Sequence, residues 1–365
     1  MQHRLPETNN ILEKVRMADR SMEQPSHNDH AFERNQYGEG RLAMTNRALF
    51  IVGPSRSGTS VLAQALGRHP RILATEELHY YNLLQPMSGD DRTSLWARLE
   101  EIQHRGRFFE IKNNTLIDLR EPDPKDLPHL SEPVLRAFLE RLAKNAGAAA
   151  FVEQTPMNLY YMGKIREDFP GVLFVVMSRD PRAIIASQKM RWKVGSLGNR
   201  HHPEKDLKRF RYAGHPILQL LLLRKTLRVM QTVMDNSDVV SVSYENLVTN
   251  PVEVLSQLVA RLGLEDDPRM LDVSDEGSSH AAEGQRTGFD PTRLDGWRKT
   301  LTQTEIWLTE KLYYKALILP ATGERPLLRE AMWLALSLPW AAMMAMYYSA
   351  GSYGNLVDAV RRRFL

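Results

Sequence analysis

Residues 53–60 read Gly-Pro-Ser-Arg-Ser-Gly-Thr-Ser and follow directly on the apolar run Ala48 to Val52. These residue types at a strand-to-loop junction suit the holding of an anion. Gly53 and Gly58 let the backbone take angles that other residues avoid, so consecutive N–H groups converge on an oxyanion at the start of a helix. That helix is legible in Val61, Leu62, Ala65 and Leu66, which recur at helical spacing, with Gly67 and Pro70 as its stop. Arg56 lies inside the loop, where a planar fork of five donors suits the oxygen that bridges a phosphate to a transferable group. Ser57, Gly58, Thr59 and Ser60 complete the candidate cradle.

The spacing matches the nucleotide-triphosphatase loop G-x-x-x-x-G-K-[ST], but Thr59 stands where that motif needs lysine. Without the lysine that reaches the outer phosphates, ordinary ATP or GTP hydrolysis is disfavoured while the anion cradle stays intact. A second apolar run, within Gly171 to Ser187, ends in the charged turn Ser178-Arg179-Asp180-Pro181-Arg182 and opens another helix. In an open parallel sheet, ligands lie outside the carboxyl ends of the strands, so both loops are expected at one crevice. Together, the internal Arg-Ser-Gly-Thr of the first loop and Arg179 followed eight residues later by Ser187 resemble the sulfotransferases that use 3′-phosphoadenosine-5′-phosphosulfate (PAPS). The resemblance implies that the first loop holds the 5′-phosphosulfate and that Arg179 and Ser187 hold the 3′-phosphate.

Further segments are similar to the same family, so the likeness spans roughly residues 46–315. Tyr244 opens a Tyr-Glu-Asn-Leu stretch like the family's Tyr-Glu-Asp-Leu, whose tyrosine contacts adenine. Gln285-Arg286-Thr287-Gly288, followed by Gly296-Trp297-Arg298-Lys299, resembles the late loop that closes over the nucleotide, which makes Arg286 a phosphate ligand. His69-Pro70 and then Glu76-Glu77 resemble the tyrosylprotein and related bacterial branches, where a glutamate is the base. Residue-by-residue carry-over gives Glu77 that role, with Glu76 as its rival, and makes Arg191 a further 3′-phosphate ligand. The chemistry agrees: an acceptor hydroxyl must lose its proton as it takes a sulfuryl group, and a partly desolvated carboxyl with a raised pKa can accept it. Arg56 is expected at the opposite end, stabilising charge on the leaving phosphate oxygen. One departure stands out. Gln154 occupies the lysine position of the frequent Glu-Lys-Thr-Pro strand end, leaving Arg56 alone or assisted by Lys189, Arg191 or Lys193.

Each of these residues also has a plainer reading. Glu76 and Glu77 suit an exposed acidic pair, Arg179 and Arg182 a solvated salt-bridge edge, and Tyr244 the rim of a core. Their shared place at strand ends favours the ligand site.

Composition bounds the rest. The chain has 365 residues, 42% of them hydrophobic, enough for one large core plus appendages, and no internal repeat is visible. A formal net charge of +4 is modest for this length and does not mark a nucleic-acid binder. Positive charge concentrates between Lys189 and Arg211, as a guide for an anionic donor or acceptor or as a solvated helix face. His201-His202 lacks matching carboxylate or cysteine spacing, so no metal is expected. Zero cysteines exclude disulfides and thiolate chemistry and suit a reducing compartment.

Residues 1–45 are polar, carry no signal-peptide core and read as a disordered arm. Unlike the animal Golgi enzymes with an amino-terminal span, this start points to a cytosolic, bacterial protein. At the far end no residue from Ala331 to Val357 is charged, and Arg361-Arg362-Arg363 follows. Length alone permits a membrane span there, but Pro339 and scattered serines and glycines dilute it. A hairpin on the inner face of a membrane, anchored by Trp333, Trp340, Tyr347 and Tyr348, and a helical pair packed on the core or on a second subunit are the other readings.

Strands near 48–52, 149–153, 172–177 and 238–243, each followed by a helical pattern, predict a three-layer α/β fold of the P-loop NTPase type with a central parallel sheet. The layout expected is a polar arm at 1–45, a sulfotransferase domain at 46–325 and an apolar helical tail with a basic end at 326–365. The function it predicts is sulfuryl transfer from PAPS, without a metal, to a hydroxyl of a carbohydrate, glycolipid or similar acceptor. Residues 86–133 and the basic run after Lys189 would select that acceptor. The alternatives are a P-loop kinase for a small molecule, against which Thr59 speaks, and a catalytically silent nucleotide-binding scaffold at a membrane, which Gln154 keeps open.

Overall fold

The computed structural model describes residues 47–84, 91–104, 133–194, 204–273 and 288–353. The proposed arm at 1–45, Arg286, His201-His202, most of 86–133 and the terminal arginines lie outside these residues. Five strands form one sheet: β1 (Arg47–Val52), β2 (Ile72–Ala74), β3 (Ala150–Glu153), β4 (Leu173–Ser178) and β5 (Val239–Ser243). Their order is β2-β3-β1-β4-β5, and every pairing is parallel. All five carboxyl ends therefore open on the same edge.

Alternation along β1 sends side chains to two cores. Phe50 and Val52 pack with Phe151, Phe174, Leu135 and Phe138 on one face, while Leu49 and Ile51 pack with Leu62, Leu66, Val175 and Leu258 on the other. The first face is covered by α3 (Val134–Asn145) and α4 (Met162–Asp168), with α2 (Arg92–His104) beyond them, and the second by α1 (Thr59–Gly67) and α9 (Pro251–Arg261). Sheet between helical layers is the expected three-layer α/β arrangement. The strands sit within a residue of their expected places, but the sequence pattern omits β2, a three-residue edge strand.

Beyond β4 the chain builds α5 (Pro181–Val194), α6 (Glu204–Ala213) and α7 (Pro216–Val233), then β5, the short α8 (Tyr244–Thr249) and α9. Proline opens α5, α7 and α9, where its fixed φ suits the first turn and its missing N–H costs nothing. Thr302 and Glu305 form a capping box that starts α10 (Gln303–Tyr313).

Among its described residues the tail forms one helix, α11 (Leu328–Tyr353), with Pro339 inside it. Proline removes one N–H, and the carbonyl it strands belongs to exposed Ala335, where water can replace the lost bond. Glu330 accepts from the Thr304 N–H at 3.0 Å, and Leu334, Ala341 and Ala345 are buried on this helix. The two alanines pack with Ala213 and Leu218 of α6 and α7. Among the described residues no helix is long and apolar enough to cross a membrane.

Candidate active site

Every strand delivers a chemical group at its carboxyl end. Residues 53–58 follow β1, Glu77 and His79 follow β2, Gln154 and Thr155 follow β3, Arg179 follows β4, and Tyr244 follows β5. The loop after β1 alternates unusual backbone angles, with φ of 140° at Gly53, 74° at Arg56 and 97° at Gly58. Alternation of this kind is the one from which anion nests are built, and the loop is closed by the Ser57 N–H donating to the Pro54 carbonyl at 3.1 Å. Arg56 is held there without glycine's freedom, a conformation costing about 1–3 kcal/mol that persists where function uses it. Gly53 and Gly58 are required sterically: a Cβ would stand 2.5 Å from the Met177 carbonyl oxygen at 53 and 2.4 Å from the Tyr244 ring at 58.

Arg56 and Arg179 meet in this cleft. Nε of Arg56 donates to Ser187 Oγ at 2.8 Å, and Nη1 of Arg179 donates to the Arg56 carbonyl at 3.0 Å. The Arg179 guanidinium also lies 4.0 Å from the centre of the Tyr244 ring, which in turn backs Gly58. Ser243 fixes that tyrosine at the first turn of α8 by accepting from the Asn246 N–H at 3.0 Å. Burial, then the charges of Arg191 and Arg179, lower the Arg56 guanidinium to about 10. Three mutually repelling cations around a nest call for an anion. Buried Ser57 Oγ and Arg179 Nε have no protein partner, which is the state expected of groups reserved for a ligand. The donor set therefore fits a phosphate-bearing ligand, with its cations gathered around one loop.

Across the cleft, β2 ends and the chain turns through Thr75 to His79. Glu153, buried at the end of β3, pins this turn: it accepts from the Leu78 and Thr155 N–H groups, from Thr155 Oγ1 at 2.5 Å and from Asn158 Nδ2 at 2.6 Å. Burial pushes the Glu153 carboxyl up to about 7 even against the donors that hold it. Thr155 Oγ1 in turn accepts from the His79 N–H at 3.2 Å. His79, at a φ of 54°, brings Nε2 to 3.0 Å from Glu77 Oε2.

The Glu77 carboxyl is not raised as the sequence suggests. Its enclosure does push it up, but the His79 hydrogen bond and charge, then Arg191 and Arg56, outweigh that and hold it below its ordinary value. Some 40% of the side chain remains exposed, so an acceptor can reach it. His79 is raised in return, against its own desolvation, chiefly by the bond to Glu77.

The remaining candidates separate cleanly. Arg191 lies 4.2 Å from the centre of the Phe210 ring, and its charge acts on both Arg56 and Glu77. Lys189 is committed elsewhere, with Nζ donating to Glu305 Oε2 at 2.7 Å and to the Thr300 carbonyl. Lys193 stands over the Trp192 ring at 5.6 Å. Gln154 touches the cradle, since its Oε1 accepts from Ser60 Oγ at 3.4 Å, and Thr59 is buried at the start of α1. Arg182 is no solvated edge. It is fully buried between Asp180 and Glu310. Among the described residues no group of three or more His, Cys, Asp or Glu is placed to hold a metal ion.

Sequence reasoning passes over His79 and Glu153. The stretch Phe151 to Asn158 draws attention to Gln154 instead, although a carboxylate ending an apolar strand run is the stronger sign of a buried polar network.

Several known proteins are similar to this chain. The Nodulation protein NoeE of Sinorhizobium fredii is 24% identical over 277 residues, which are 70% of this chain and 61% of NoeE, so the match spans less than two thirds of that protein. Among solved structures, the sulfotransferase domain from the curacin biosynthetic pathway is 18% identical, covering 80% of this chain and 98% of its own, with a TM-score of 0.41. That of the Synechococcus PCC 7002 olefin synthase is 16% identical, covering 80% and 100%, with the same TM-score. A sequence model described as the sulfotransferase family matches residues 48–268, more than half of the chain and all five strand ends described above, and the protein belongs to that family.

Proposed function

We propose that the protein transfers a sulfuryl group from PAPS to a hydroxyl of a carbohydrate, glycolipid or similar acceptor. The observation that carries this reading is the convergence of Arg56, Arg179 and two orphaned buried polar atoms on one left-handed loop. PAPS, when bound, supplies the sulfuryl group on its 5′-phosphate. In this reading the N–H groups of Gly58, Thr59 and Ser60 with the Ser57 hydroxyl hold that phosphate, and Arg56 offsets the charge its oxygen gains. Arg179, Ser187 and Arg191 hold the 3′-phosphate. Ser187 Oγ accepts from Arg56 Nε at 2.8 Å. Tyr244 takes the adenine, and Arg286 is a further phosphate ligand.

Glu77 is the base. It takes the acceptor's proton as the bond from acceptor oxygen to sulfur forms and the bond from sulfur to phosphate oxygen breaks. The arginines that depress Glu77 are those the donor's phosphates neutralise, so the carboxylate becomes more basic once the donor is in place. Gln154 supplies no charge, so Arg56 carries the leaving-group role without the family lysine. The acceptor class rests on the likeness to the carbohydrate and tyrosylprotein branches.

Incubating purified protein with a cell extract and PAPS carrying radiolabelled sulfur tests the reading. A labelled hydroxyl compound is expected, together with much tighter binding of 3′-phosphoadenosine-5′-phosphate than of ATP or GTP. Equal affinity for all three would remove the two-phosphate site, and tight binding without any label would leave a silent scaffold.

A further inference from the structure

The side of α11 that faces away from α6 and α7 is apolar. Met332, Trp333, Leu336, Trp340, Met343 and Tyr347 are 48% to 73% exposed, and their spacing gathers them on one helix face, opposite buried Leu334, Ala341 and Ala345. Together they leave on the order of 800 Å² uncovered, beyond the roughly 300–600 Å² of the largest apolar patch on a typical soluble monomer. The face is held outward by its other side: the His215 ring nitrogen Nε2 and Ser337 Oγ are 3.1 Å apart, and Tyr348 stacks on Tyr212 with ring centres 6.0 Å apart.

The stripe's own chemistry selects what covers it. Two tryptophans and a tyrosine among methionine and leucine suit the depth of lipid headgroups, where amphipathic rings are favoured. A seam between helices in water calls for branched aliphatic residues at those positions instead. Charge points the same way. Exposed Arg329 lies on the face of the stripe one turn before Trp333. From Ala331 to Val357 there is no acidic residue to repel an anionic surface.

We propose that the outer face of α11 docks on a membrane containing anionic phospholipid, with the helix lying flat, its rings at headgroup depth and exposed Arg329 over the phosphates. This is independent of the transferase reading, and its test needs no turnover. Full-length protein is mixed with vesicles of phosphatidylcholine and phosphatidylglycerol, or of phosphatidylcholine alone, and followed by flotation and tryptophan emission. Flotation with the anionic vesicles and a blue-shifted emission are expected. The pair Trp333→Ser and Trp340→Ser should lower partitioning at least about tenfold. Arg329→Glu should lower it by roughly fivefold or more, an effect lost at high salt. Because the altered residues are exposed, affinity for 3′-phosphoadenosine-5′-phosphate and the unfolding midpoint should not change, which separates failed docking from failed folding. Absence of flotation would overturn the proposal. So would a dimer in sedimentation that the tryptophan pair converts to monomer without any vesicle binding, which would assign the face to a second copy of the chain.

Discussion

Arg179 and Arg182 leave the same turn after β4, three residues apart, and the fold treats them in opposite ways. Arg182 is fully buried and saturated. Its guanidinium meets Asp180 at 2.6 Å, Glu310 at 2.8 Å and the carbonyls of Leu319 and Pro320, and stacks 4.3 Å from the Trp297 ring centre. Arg179 has one carbonyl, an aromatic face and a buried Nε with no partner. Two more arginines stand close enough for their charges to be felt at the same loop. A cation with its acids supplied by the chain fastens the fold, tying residues 310–320 to the end of β4. Cations gathered without enough acid are waiting for charge from outside.

If that contrast is sound, the site cluster governs chemistry and binding while the buried cluster governs stability. The largest effect is expected at Glu77→Gln, where turnover should fall roughly 10²–10⁴-fold with affinity for 3′-phosphoadenosine-5′-phosphate nearly unchanged. Normal turnover in that variant would move the base to Glu76 or elsewhere. Arg182→Ala comes next. It strands two buried carboxylates and should cost about 3–5 kcal/mol in denaturant unfolding. A stable Arg182→Ala protein that had lost donor affinity instead would dissolve the distinction.

Arg179→Ala should weaken 3′-phosphoadenosine-5′-phosphate about 10- to 100-fold by calorimetry. Its unfolding midpoint should hold or rise, since one of three repelling cations is gone. The smallest effect is one of pH. As the proposed base Glu77 acts ionised, and in the donor-free protein its carboxyl is held low, so kcat/KM for the donor should be lost only as pH falls through that depressed value. The same group contributes stability above its unfolded pKa that disappears as pH falls through the folded one. His79→Leu removes the hydrogen bond and the charge that oppose enclosure, so the acid limb of kcat/KM should move to higher pH. An unmoved limb would take His79 out of the site's electrostatics.

How much of this could be read beforehand depended on whether a signal was local. Strands β1, β3, β4 and β5 are apolar runs ending in polar turns, and the cradle announces itself by two glycines around Arg56. Strand β2 has three residues, too few for a period, and exists because its backbone bonds to β3. Yet it is the strand that carries Glu77 to the cleft. Lys189 looked available in the sequence because Glu305, 116 positions later, is its partner only in space. Arg182 looked solvated for the same reason, with Glu310 even further along the chain. The raised carboxyl expected at Glu77 assumed desolvation alone, whereas it is opposed by His79 two residues on, by Arg191 on α5 and by Arg56 after β1.

The sequence by itself determined the family, the cradle and the identity of the chemical groups, because those depend on residue types at short, fixed spacings. Tertiary structure alone decided which of several similar arginines, lysines and glutamates stand partnered and which face the cleft. Charge and burial act through space, and the distances that set them join residues a hundred or more positions apart.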